Sequence, residues 1–247
     1  MAAATRSGGL QAQGALLARP GHAFYIAIAW LFAAIVFAGF SRSFYLNGWF
    51  ARLDLTTLRI VHGVVGTAWI VLLLAQTTLV AARRTDLHRR LGVLGALVAL
   101  AMVVVGSMLA LESGRQGFSN PGLPPPQVFL IVPLTDMLLF AGYVATALAL
   151  RDRPDWHKRL MLLATLIMLA PAFARLPIDA VRNHLPASAF ALSALTLVAV
   201  ATWDAAARRR LHPVYLWGGA LFIVSIPLRV VVAQTSAWQS FALWLVG

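Results

Sequence analysis

Long apolar runs separated by short basic breaks set the pattern of this chain. The clearest unit runs from Leu58 to Leu111: an apolar stretch that opens near His62, the break Arg83-Arg84-Thr85-Asp86-Leu87-His88-Arg89-Arg90, and a second apolar stretch. Each run is long enough to cross about 30 Å of hydrocarbon as a helix, so the pair predicts a helical hairpin. The signature recurs at Pro154-Asp155-Trp156-His157-Lys158-Arg159-Leu160 and, more loosely, at Arg209-Arg210-Leu211-His212-Pro213. His88 and His157 lie 69 residues apart, each within Asp-x-His-basic-Arg-Leu at the start of an apolar run, which makes the hairpin an internal repeat.

Seven runs reach membrane length by this reading: roughly 23–40, 58–82, 91–111, 128–150, 159–177, 187–205 and 214–234. The expected fold is all-α, an integral membrane bundle of seven transmembrane helices built from repeated hairpins over residues 21–234. Residues 1–20 lack apolar side chains enough to fold and are expected to form a flexible cytoplasmic tail. Residues 235–247, with Trp238, Phe241 and Trp244 and no charge, are expected to lie in the membrane interface on the outer side. Between Glu112 and Gln127 a Gly/Pro-rich segment cannot continue a helix and makes an outer loop.

Composition agrees. The 247 residues are 60% hydrophobic and 11% charged, with a mean hydropathy of +0.80, which is more apolar surface than one soluble core can hide. The net charge of +12 sits in the breaks, so it reads as membrane topology and not as nucleic-acid binding. Thirteen Lys and Arg fall on the face that holds the N-terminus and the breaks after the second, fourth and sixth runs, against five on the other face. The positive-inside bias puts the first face in the cytoplasm, the N-terminus inside and the C-terminus outside. With no cysteine there is no disulfide frame, thiolate nucleophile or thiolate metal site.

Ionisable groups inside the runs are the candidate chemistry, because an uncompensated charge in hydrocarbon is costly. His62, Asp136, Arg175 and Arg229 all fall in the outer half at about 1.5 Å of rise per residue. His62, Gly66, Trp69, Leu73 and Gln76 recur at helical spacing on one side of the second run, and Asp136, Phe140 and Tyr143 share a side of the fourth. One reading is an outer-half pocket of His62, Trp69, Asp136, Tyr143, Arg175 and Arg229 for an anionic or amphipathic molecule, since guanidinium offers a donor fork matched to carboxylate or phosphate. The other is that Asp136 pairs with one arginine as internal glue while the second snorkels to the interface.

Other chemistries fit less well. Asp86 and Asp155 suit a helix N-cap and the neighbouring basic residues suit headgroup anchoring. His88, His157 and His212 could converge on the inner face as metal ligands or proton carriers, although they are scattered in sequence. Haem is the cofactor a redox protein would hold here, with His62 as a ligand, and quinone is the related redox option. No Gly-x-Ser-x-Gly, phosphate-loop or His-Glu-x-x-His motif occurs, so no catalytic residue is assigned and an enzyme is not the expected class. The single lysine, Lys158, lies in a break, which removes a retinal Schiff base. Gly92, Gly95, Gly106, Gly218 and Gly219 would allow close helix contacts in a non-catalytic subunit or a homodimer.

The run Ser43-Phe44-Tyr45-Leu46, then His62-Gly63, Ala68-Trp69, Gln76, Asp86-Leu87-His88-Arg89-Arg90-Leu91-Gly92 and His157-Lys158-Arg159-Leu160-Met161-Leu162-Leu163-Ala164-Thr165, resembles a family of uncharacterised bacterial multi-span inner-membrane proteins. The resemblance spans roughly residues 40–230 and implies a seven-helix fold and an inner-membrane location. It carries over no catalytic role. The expectation is therefore an inner-membrane protein that binds or passes a small anionic or amphipathic molecule, with a redox protein and a structural subunit as the alternatives.

Overall fold

The computed structural model describes residues 20–50, 52–118 and 122–247, and the expected tail over residues 1–20 lies outside them except for Pro20. The described chain is helical: α1 (Pro20–Phe40) runs into a π-helical turn (Ser41–Tyr45), followed by the short α2 (Asn47–Phe50). Then come α3 (Thr57–Ala81), α4 (Thr85–Gln116), the single turn α5 (Pro126–Phe129) and α6 (Ile131–Ala149). The second half comprises α7 (Pro154–Ile167), the short α8 (Ala170–Phe173) and α9 (Asp179–Arg182), then α10 (Ala187–Arg208), α11 (Pro213–Ala233) and α12 (Ser236–Val246).

Six helices are long and apolar enough to cross a membrane: Ala23–Tyr45, Thr57–Ala81, Thr85–Gln116, Pro126–Ala149, Ala187–Arg208 and Pro213–Ala233. The expected run over 159–177 is not one continuous helix. Pro171 has no N–H to give the Ile167 carbonyl and its ring crowds that carbonyl, so the helix stops at Ile167. The chain tightens there into i→i+3 bonds, Met168 N–H to Thr165 O and Leu169 N–H to Leu166 O, both 3.0 Å.

The interrupted helix occupies the middle of the bundle. In α7 the residues Leu160, Leu162, Leu163, Ala164, Leu166 and Ile167 are each at most 6% exposed. All six long helices touch it. Lys158 lies over the Tyr25 ring of α1 at 5.1 Å, Thr165 accepts from Trp69 Nε1 of α3 at 3.1 Å, and the His157 ring faces His88 of α4. His157 Nδ1 is 2.8 Å from the Ala147 carbonyl of α6, Arg159 pairs with Asp204 of α10, and Leu163 packs against Gly218 of α11. Phe24 of α1 stacks on Trp203 of α10 at 6.0 Å, which joins the first long helix to the fifth around the outside.

Large apolar side chains on the outer faces, among them Trp217, Leu138 and Val231, stay exposed, as hydrocarbon-facing positions should. The repeated break places the starts of α4, α7 and α11 and the ends of α6 and α10 at one end, called here the basic end. At the far end Thr56 Oγ1 donates to Glu112 at 3.2 Å, and α12 packs across α4 and α5. There Trp238 Nε1 donates to the Gln127 carbonyl at 2.9 Å.

Candidate functional site

Polar side chains inside the bundle gather in three places, and the residues singled out from the sequence divide among them. Asp136 of α6 and Arg229 of α11 are both buried and bonded, Arg229 NH1 to Asp136 Oδ1 at 2.7 Å. Arg229 also donates to Ser225 Oγ at 3.2 Å, four residues back on its own helix, and lies over the Phe190 ring at 5.7 Å. Its Nε is buried without a partner. The pair is charge-neutral and joins α6 to α11.

Arg175 stands apart from that pair. It follows α8, is exposed, donates to the Pro171 carbonyl at 2.8 Å and lies over the Phe40 ring at 4.9 Å. Among the described residues no carboxylate pairs with it. Arg175 is the charge that bears on His62, whose Nδ1 is buried with no hydrogen-bond partner. The π-helical turn brings a third group to this region: Phe44 packs closely against Gly63, Tyr45 Oη and Thr67 Oγ1 share a 2.9 Å hydrogen bond, and Ser43 Oγ is buried and unpartnered. A π-helical insertion of this kind re-aims side chains and recurs at functional sites. Gly39 makes the approach possible, since a Cβ there would run into the Ala172 carbonyl.

Trp69 and Tyr143 are already engaged by the protein. Trp69 donates to Thr165 and meets the Phe140 ring edge-on at 5.0 Å, and Tyr143 Oη donates to the Gly218 carbonyl at 2.6 Å. They pack the centre between the other groups.

The third cluster lies at the basic end. Arg159, 1% exposed, donates through Nε to Asp204 Oδ2 at 2.9 Å and through NH2 to Asp204 Oδ1 at 2.5 Å. Tyr25 Oη donates to the same carboxylate at 3.4 Å. Asp155 accepts from Arg208 at 3.0 Å and meets Lys158 at 2.9 Å, and these two cations hold its carboxyl below the usual carboxylate range. Asp204 is the residue that reading the sequence passes over. It sits in the last turn and a half of an otherwise apolar helix, where it looks like the edge of a break. The signal was its position four residues before Arg208, inside the run and not after it.

Of the three inner histidines, the structure joins two. The His88 and His157 ring centres are 6.3 Å apart with planes at 87°, so the repeated motif delivers its histidine to a shared place. His88 Nδ1 is buried without a partner. His212 is elsewhere, edge-on to Trp156 at 5.3 Å, its Nδ1 accepting the Val214 N–H at 3.2 Å as the cap of α11. Burial and the charges of Arg159 and Arg208 hold its ring below the ordinary histidine range. Among the described residues no three His, Asp or Glu side chains converge as a metal set.

No protein-family model, no curated protein and no solved structure matches this chain.

Proposed function

We propose that the protein is a multi-pass bacterial inner-membrane protein that binds, and passes, a small anionic or amphipathic molecule at Ser43, His62 and Arg175. One observation carries the reading: two buried polar groups, Ser43 Oγ and His62 Nδ1, have no partner in a region whose cation, Arg175, has no carboxylate. Buried polar atoms are nearly always satisfied, so two orphans in the region of a guanidinium that is bonded to a backbone carbonyl and to no carboxylate favour an anion with acceptor oxygens. Asp136 and Arg229 serve this reading as support, since each neutralises the other.

A seventh crossing belongs to the same proposal, made by residues 159–177 with their proline break. What supports it is that Asp155 at the start of α7 bonds Arg208 at the end of α10, a helix of 22 residues whose own start therefore lies at the far end. The cytoplasmic placement of the basic end rests on the positive-inside bias.

The test is retention of co-purified anionic lipid or metabolite, counted by mass spectrometry in detergent-purified protein. Arg175→Ala and His62→Ala are expected to lose it about tenfold or more, with the melting temperature held. Full retention in both variants would sink the proposal.

A second reading, a membrane redox protein, is favoured by the His88–His157 pair and not by His62. His88 and His157, with ring centres 6.3 Å apart, are the two residues that would hold a redox metal or haem, which would supply the electron-carrying chemistry. The His157 Nδ1 contact with the Ala147 carbonyl at 2.8 Å is the kind that fixes a ligating tautomer. A Soret band present in the wild type and lost in both His88→Ala and His157→Ala would favour it. A colourless protein would dismiss it.

A further inference from the structure

At the basic end, away from His62 and Arg175, the starts of α7 and α11 and the end of α10 line an open cleft of about 560 Å³. Its lining includes the guanidinium residues Arg153, Arg208 and Arg210, the aromatic pair Trp156 and His212, and Asp155. The lining is net positive by two with His212 neutral, from three arginines and one aspartate. The volume falls in the range of small-molecule sites, about 300–1,000 Å³.

The state of the individual donors matters more than the sum. Arg208 is committed to Asp155, at 3.0 and 3.4 Å, and Lys158 adds a second cation to that carboxylate, so Asp155 presents little free negative charge. Arg153 and Arg210 are different: among the described residues neither guanidinium has an ion-pair or hydrogen-bond partner. His212 is only 8% exposed, and because its Nδ1 accepts the Val214 N–H, the neutral ring carries its proton on Nε2 as a donor. Two unpaired guanidinium forks and an imidazole among the residues lining one cleft match an anion with several oxygens at different angles. A phosphate group has that shape and charge.

We propose that this cleft is a binding site for a phosphate-bearing anion, distinct from the site at Ser43, His62 and Arg175. Phosphate chemistry has two sources at a membrane surface: the headgroup of an anionic phospholipid, and a free phosphate or phosphate ester.

Purified full-length protein is titrated with inorganic phosphate in neutral detergent, and in parallel placed in nanodiscs of phosphatidylcholine with and without phosphatidylglycerol, with retained lipid counted by native mass spectrometry. Arg153→Gln/Arg210→Gln is the first variant, because neither side chain bonds to protein and the fold should survive. Binding of either probe is expected to weaken about tenfold or more in this variant and to recover only in part in Arg153→Lys/Arg210→Lys, which keeps both charges but loses the forks. Retained phosphatidylglycerol without phosphate binding assigns the site to a lipid headgroup; phosphate binding in detergent assigns it to a soluble ester. Should the double variant aggregate, Arg210→Gln alone and the ionic-strength dependence of wild-type binding give the same test. The proposal is overturned if neither probe binds the wild type, or if binding is unchanged in the glutamine variants.

Discussion

Asp204 grips Arg159 with both carboxylate oxygens, the Nε and NH2 donors lying parallel at 2.9 and 2.5 Å in a place where Arg159 is 1% exposed. The pair ties the central helix to α10, so its energetics follow the rule for buried charges: the pair contributes little net, but either half alone is costly. Arg159→Met and Asp204→Leu are each expected to destabilise by about 3–5 kcal/mol. The double variant should recover most of that loss, as measured by thermal melting in detergent. Additive losses would show that each residue acts independently. Arg159→Lys keeps the charge but loses the fork, and should fall between wild type and Arg159→Met.

A cheaper probe of the candidate site is a single methyl group. A Cβ on Gly39 would collide with the Ala172 carbonyl, whereas one on Gly48 would meet nothing within 4 Å. Gly39→Ala should push α1 from α8, cost about 2–3 kcal/mol, and weaken ligand retention at Arg175, which lies over Phe40 next in sequence. Gly48→Ala serves as the control, expected to melt within experimental error of wild type. Equal melting of the two variants would contradict the close approach of α1 and α8.

Acid should loosen the basic end in two stages. The Asp155 carboxyl is held below its ordinary value by Arg208 and Lys158, so its contribution is present above the unfolded-state value of about 3.9 and fades as pH falls through the folded one. His212 is also held low, by burial and by Arg159 and Arg208. The unfolded chain therefore takes up that proton first, and stability drops as pH falls below about 6.5. His212→Asn keeps a cap for the Val214 N–H and should flatten the loss between pH 7 and 5. Asp155→Asn should lower the melting temperature at neutral pH and remove the steeper loss below pH 4. A melting curve with the same pH profile in all three proteins would refute the assignment.

Because the chain has no cysteine, topology can be read without background. With the proposed seven crossings, Arg209→Cys and Ser240→Cys lie on opposite faces of the membrane. In intact spheroplasts an impermeant maleimide should label the second and miss the first. Labelling of both from outside would contradict the proposed topology.

The long helices were legible because a run such as residues 58–82 needs only length and hydropathy to declare itself, and the structure has α3 at Thr57–Ala81. Pro171 was equally visible as a place where the backbone loosens, yet a hydropathy window over 159–177 averages across it, so the run was still expected as one membrane span although α7 stops at Ile167. The Asp136–Arg229 bond was one of two readings the sequence left open, since the spacing gives depth but not which helices meet. Asp204 was missed for a related reason: nothing in a one-dimensional pattern shows that the end of α10 leans on the start of α7. Nor could spacing show that His88 and His157 meet while His212 turns to Trp156.

The surrounded position of α7 bears on how the protein is made. A segment of 14 residues that opens with Pro154, Asp155 and three basic or imidazole side chains is a poor substrate for lipid on its own terms. Its natural solvent is the inner wall of its neighbours. Two of the six helices in that wall, α10 and α11, are synthesised only after α7 itself. The nascent chain must therefore hold its most buried helix in waiting, partly sheltered by α1, α3, α4 and α6, until the last two long helices arrive and Asp204 closes on Arg159. Biogenesis of this bundle ends in its middle.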